Sequence, residues 1–149
     1  MIYNLVGNAM EPRTRGNKII AHVCNDKRYW GLGFTKSIDE KNLEPRKNYL
    51  ATKTFNIGDV HYVEINDNTW VANMIAMKGT RSAYNPVPLQ YDGLQKCLQD
   101  LNLFCLTKDA TIHIPRIGCG LAGGSWRRVR EIIDIELQDR ILFIYHLEI

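Results

Sequence analysis

The chain has 149 residues, 45% hydrophobic and 23% charged, which suits one domain with a full core and excludes a disordered or fibrous protein. A net charge of +3 is too small to indicate a nucleic-acid binder by itself, but it suits a small anionic ligand. No apolar run approaches a membrane span and no signal peptide opens the sequence, so a cytoplasmic protein with no membrane partner is expected.

In chain order, Ile2 to Val6 reads as a short strand that Gly7-Asn8-Ala9 ends, and Glu11 to Asn17 reads as a loop. Lys18 to Val23 is a second strand running into Cys24-Asn25-Asp26 and a loop that holds Trp30-Gly31-Leu32-Gly33-Phe34. An aromatic beside two glycines can wall a ligand while the backbone comes close; it equally fits a core tryptophan beside a turn. Thr35 to Asn42 has helical character, Pro45 interrupts it, and Arg46 to Thr52 adds a turn or two. Val60 to Ile65 and Trp70 to Ile75 read as a hairpin around Asn66-Asp67-Asn68. Asn73, inside the second of these strands, is either a satisfied core amide or a ligand contact.

Lys78 to Pro88 is an irregular polar loop. From about Leu89, the residues Leu94, Cys97, Leu98, Leu101, Phe104 and Cys105 recur at helical spacing. Thr111 to Ile117 is a buried strand, Trp126, Val129, Ile132, Ile133 and Leu137 mark one face of a helix, and Ile141 to Tyr145 closes the chain as a strand. Alternating strands and helices in the second half predict an α/β layered domain with its ligand at the carboxyl ends of the strands. The ends after Val23, Ile75 and Ile117 are the ones that carry polar or glycine-rich loops.

The most informative stretch follows Ile114-Pro115-Arg116-Ile117. Four glycines fall within Gly118-Cys119-Gly120-Leu121-Ala122-Gly123-Gly124, and Ser125 then stands as a candidate N-cap. A strand, a glycine-rich turn and a helix start form a geometry whose amides can cradle phosphate. The segment matches G-x-G-x-x-G, but only one strand follows it, so no second mononucleotide half can be built. No Gly-Lys-Ser/Thr follows either, which removes a Walker A loop. A plain tight turn remains the alternative to a phosphate loop.

These segments, in this order and spacing, resemble a macro domain, the ADP-ribose-binding fold, across nearly the whole chain. The match is carried by Gly7-Asn8-Ala9, by Ile19 to Asp26 running on to Trp30-Gly31-Leu32-Gly33-Phe34, by Trp70 to Ile75, and by Pro115 to Trp126. The nearest likeness is to compact microbial and phage members described as ADP-ribose 1″-phosphate phosphatases, which are related to terminal ADP-ribose protein glycohydrolases. The resemblance implies a three-layer α/β/α sandwich with a mixed, mostly parallel sheet. It implies adenine near Gly7, Asn8 and Ala9, with Asn8 where the family often has Asp. Asn25 falls near the distal ribose, beside Cys24. Gly31 and Gly33, with Trp30 and Phe34, resemble the first phosphate loop, and Arg116 to Gly124 resemble the loop around the diphosphate. Asn73 joins this ligand-binding set.

For chemistry, the glycohydrolase Asp is replaced by Ala122, and its Lys partner lies near Met77 or Lys78, one residue out of register. Phosphate removal needs a positioned water, a proton donor and charge stabilisation. His22 is the candidate general acid or base, Asn25 the residue that orients the ribose, and Asp26 the residue that positions water or His22. A lone histidine on a strand is also a common core residue. Cys119 does not meet a C-x5-R phosphatase pattern, the four cysteines show no zinc spacing, and His61, His113 and His146 suggest no metal cluster. The expectation is therefore a monomeric hydrolase of ADP-ribose 1″-phosphate without metal or cofactor. The alternatives are a non-catalytic reader of ADP-ribose or another NAD-derived nucleotide, or a hydrolase of ADP-ribosylated protein or nucleic acid.

Overall fold

The computed structural model describes residues 1–120 and 122–147. Ten elements follow one another: β1 (Ile2–Val6), β2 (Lys18–Asn25), α1 (Thr35–Lys41), α2 (Glu44–Ala51), β3 (Val60–Asn66), β4 (Thr69–Met77), α3 (Tyr91–Lys108), β5 (Thr111–Ile114), α4 (Trp126–Glu136) and β6 (Leu142–His146). The six strands form one sheet in the order β1-β6-β5-β2-β4-β3. Five run parallel, and β3 is antiparallel to β4 as the hairpin partner that Asn66-Asp67-Asn68 predicts.

The alternation along β2 explains the layers. Ile19 and Ala21 point to one face, where α3 and α4 supply Leu94, Leu98, Leu101, Val129 and Ile133. Ile20, His22 and Cys24 take the opposite face, packed near Ile38 of α1 and Tyr49 of α2. With both faces covered, the parallel strands read as nearly continuous apolar runs. The result is the expected α/β/α sandwich with a mixed, mostly parallel sheet.

Several boundaries differ from the sequence reading for physical reasons. Pro45 does not separate two helices; it sits in the first turn of α2, where its missing N–H would have had no helical partner. β2 runs on to Asn25 and β4 to Met77, while β5 stops at Ile114. Ile117 already belongs to a turn, since its amide donates back to the Pro115 carbonyl at 2.8 Å. Ser125 precedes α4 with extended φ and ψ, but its hydroxyl makes no cap hydrogen bond. Its amide instead donates to the Tyr91 hydroxyl at 2.9 Å. Among the described residues no helix is long and apolar enough to cross a membrane.

Candidate functional site

Because β1, β6, β5, β2 and β4 are parallel, their carboxyl ends lie along one edge of the sheet. A cleft of about 1370 Å³ opens there, larger than most small-molecule pockets. It is walled by Gly7, Asn8 and Ala9 after β1, by His146 and Leu147 at the end of β6, and by Pro115 to Gly120 with Ala122 after β5. The end of β2 adds residues 22–25 and 28–34, and the stretch after β4 adds Met77, Thr80 and Arg81. The predicted convergence of strand ends therefore occurs.

Two segments of the wall present amides without partners. Among the described residues, the N–H groups of Gly118, Cys119 and Gly120 have no hydrogen-bond acceptor in the protein, and neither do those of Gly31, Leu32, Gly33 and Phe34. Backbone donors that lack a protein acceptor call for water or an anion. The conformation that exposes them depends on glycine at position 118, where φ is +77° and a Cβ would lie 2.9 Å from Leu89. Four arginines also line the cleft, Arg28, Arg46, Arg81 and Arg116, and no carboxylate stands among its described lining residues. The site is thus built from donors and positive charge.

The glycine loop serves two purposes that its sequence does not separate. Gly118 and Gly120 face the cleft, whereas Gly123 and Gly124 lie outside its lining, contrary to expectation. A Cβ at Gly123 would stand 2.4 Å from the Pro86 carbonyl oxygen, and one at Gly124 would stand 2.4 Å from that of Gly118. Those two glycines let the loop pack on itself and on its neighbour. Leu121 lies outside the described residues. The start of α4 stands outside the described lining as well, contrary to the expectation that its N-terminus faces the ligand.

Register determines what became of the candidate catalytic residues. His22 is directly opposite Asn73 on β4. Its Nε2–H donates to Asn73 Oδ1 at 2.6 Å, while the Asn73 amide donates to the Pro45 carbonyl at 3.1 Å. With both amide groups committed and 0% exposure, Asn73 is a core amide, and the expected ligand contact is corrected. His22 lines the cleft but is only 2% exposed, set edge-on to Trp30 with ring centroids 5.5 Å apart. Burial lowers its pKa to about 4, partly offset by the bond to Asn73, so the imidazole is neutral at pH 7. It can act as a base through Nδ1 and cannot act as an acid near neutrality.

Asn25 organises the loop rather than reaching across it. Its Oδ1 accepts from the amides of Lys27 and Tyr29 and from the Tyr49 hydroxyl, and its Nδ2 donates to the Tyr29 carbonyl. Asp26 is turned away from the cleft and accepts from the Gly79 amide at 2.8 Å. The register shift at Cys24/Asn25 releases the chain there, so four residues of spacing from His22 do not bring Asp26 beside it. The structure therefore does not assemble the His22–Asn25–Asp26 group that the sequence suggested.

Other expectations resolve more simply. Trp30 walls the cleft and is also anchored, its indole N–H donating to Asp39 at 3.0 Å. Trp126 packs beside Arg116, outside the lining. Asn8 lines the cleft with its Oδ1 already accepting from the Met10 amide at 2.9 Å. Cys24 and Cys119 also line it; burial raises both thiol pKa values, more than the Arg116 charge lowers that of Cys119. The sequence reading missed Arg28, Arg46 and Arg81. Arg28 and Arg81 carried a signal, their position in loops directly after strands whose ends were already suspected, whereas Arg46 carried none.

No protein-family model matches the chain. The fold is similar to a macrodomain protein from Streptomyces coelicolor, 33% identical with a TM-score of 0.85, over 97% of this chain and 98% of that one. The chain belongs to the macrodomain family. It is also similar to a Bacteroides thetaiotaomicron protein of unknown function, 35% identical with a TM-score of 0.93, covering 99% of this macrodomain and 98% of that chain. The fold is shared with a Trypanosoma brucei macrodomain in complex with ADP-ribose, at 13% identity and a TM-score of 0.71, over 97% of this chain and 63% of that one. Among curated relatives, the macrodomain is 26% identical to a Danio rerio chromodomain-helicase-DNA-binding protein 1-like over 93% of its own length, and it spans only 15% of that protein.

Proposed function

We infer that this macrodomain binds ADP-ribose or a close derivative along the cleft. The observation that carries the reading is the pairing of two runs of unpartnered amides with four arginines and no described carboxylate in one wall. Such a wall suits a diphosphate, and the shared fold with a macrodomain in complex with ADP-ribose supplies the nucleotide. The β1 and β6 end, where Asn8, Tyr145 and Leu147 line the cleft, suits the base.

Turnover of ADP-ribose 1″-phosphate is the second reading, and one residue favours it. His22 is neutral and lines the cleft, and its unprotonated Nδ1, 4.0 Å from the Cys24 Sγ, is the nitrogen that would take a proton from a water attacking phosphorus. Asp26 and Asn25 are committed elsewhere, which leaves recognition without turnover as the simpler function. The test is calorimetric titration with ADP-ribose, followed in the same sample by phosphate release from ADP-ribose 1″-phosphate. Binding without release supports a reader, binding with release supports the phosphatase, and no binding refutes both.

A further inference from the structure

Arg28, Arg46 and Arg116 each have a companion that accounts for their position. Arg28 donates to the carbonyls of Thr52 and Lys53, Arg46 pairs with Asp39 at 3.8 Å, and Arg116 lies over the Trp126 ring at 5.0 Å. Arg81 differs. Among the described residues its side chain makes one hydrogen bond, a long 3.5 Å contact from Nη1 to the Gly120 carbonyl.

That contact has a geometric consequence. Arg81 follows β4 and Gly120 follows β5, and β2 lies between those strands in the sheet. The Arg81 side chain therefore links the loops that follow two strands lying roughly 10 Å apart on either side of β2. The arm that carries it is fixed. Asp26 holds the Gly79 amide, Asn85 donates to the carbonyls of Lys78 and Thr80, and Ser82 and Asn85 exchange backbone hydrogen bonds. The absent Cβ of Gly123 lets the Pro86–Val87 segment of the arm settle on the glycine loop.

We propose that Arg81 is a specificity-determining clamp that reads the group on the distal ribose and favours a phosphate there. The assignment rests on the ADP-ribose reading above, in which the base takes the β1 and β6 end and the distal ribose therefore falls toward the ends of β2 and β4. A guanidinium makes two parallel charge-assisted bonds to a phosphate, whereas it gains only a neutral contact from a ribose hydroxyl. Arg81 is exposed and holds no core contact, so its replacement leaves the fold intact.

The experiment compares wild type, Arg81→Ala and Arg81→Lys for affinity toward ADP-ribose and ADP-ribose 1″-phosphate, with KM in place of affinity wherever phosphate is released. Arg81→Ala is expected to weaken binding of the phosphorylated ligand roughly 10- to 100-fold more than it weakens binding of ADP-ribose. Arg81→Lys should recover part of the difference, because it keeps the charge without the fork. Equal losses for both ligands would make Arg81 a prop for the Gly120 loop and overturn the proposal, as would no loss for either. Failure of the wild type to bind ADP-ribose at all removes the parent reading and this one with it.

Discussion

Lowering the pH from 7.5 to 5.0 should destabilise this protein through two buried histidines. Burial lowers the pKa of His22 and of His113 to about 4, the latter also pushed down by the Lys18 charge. Both are neutral in the fold, His113 held between the Tyr145 hydroxyl at 2.8 Å and the Thr111 hydroxyl at 2.8 Å. The unfolded chain binds protons near pH 6.5, so between pH 6.5 and 4 it carries more protons than the folded chain. Stability is therefore complete above about pH 7 and is lost as pH falls through 6.5 toward 4. At pH 5.0 each imidazole accounts for a loss of about 2 kcal/mol, and the pair for about 4 kcal/mol, against a typical total of 5–15 kcal/mol. Urea unfolding followed by tryptophan fluorescence at both pH values measures the difference. His22→Gln and His113→Gln should each remove about half of the drop. A drop below about 1 kcal/mol, or one unchanged by both substitutions, would show that the two imidazoles are hydrated and would refute their burial as the cause of the lowered pKa values.

Four further outcomes test the site. Gly120→Glu has open space for its side chain and should lower ADP-ribose affinity roughly 10- to 100-fold with an unchanged Tm, because it places a carboxylate against the diphosphate. Gly123→Glu should lower Tm instead, since its Cβ meets the Pro86 carbonyl at a φ of +70°. Asn8→Asp keeps the acceptor that holds the Met10 amide and adds charge, so about fivefold tighter binding is expected if the adenine amino group lies there; no change would place the base elsewhere. If phosphate is released, the rate should fall with an acid limb near pH 4 rather than 6.5, and His22→Ala should cut it roughly 10²–10⁴-fold while ADP-ribose affinity stays close to wild type. A limb near 6.5, or an unaffected rate, would exclude His22 as the base.

What the sequence disclosed follows the range of the interactions concerned. Glycine spacing around Gly118, the existence of strand-to-loop junctions after β2 and β5 though not their exact residues, and the Asn66 to Asn68 hairpin are local, and each is visible in a dozen residues. Asn73 could not be read that way, because its role depends on parallel register with His22, a residue 51 positions earlier. Asp26 was misplaced for a related reason: the bulge at Cys24/Asn25 decides which way its carboxylate turns. The arginines were hidden by topology. Arg28, Arg46 and Arg81 sit in three separate segments and share a cleft only because β2 and β4 are neighbours that run in the same direction.

That shared cleft also sets the balance between recognition and catalysis. Cutting a phosphate ester requires a base for the attacking water and an acid for the leaving oxygen, ideally with pKa values near the working pH. At the β2 end the described wall supplies His22, whose lowered pKa makes it a weak base, and Cys24, whose burial keeps its thiol protonated. His146 also lines the cleft, but at the end of β6, on the far side of β5 from β2. The carboxylate nearest in sequence, Asp26, is spent on fixing the Arg81 arm. Asn25 is likewise spent on shaping the loop that holds Trp30. Two residues that resemble catalytic partners in the sequence thus shape the arm that carries Arg81 and the loop that carries Trp30.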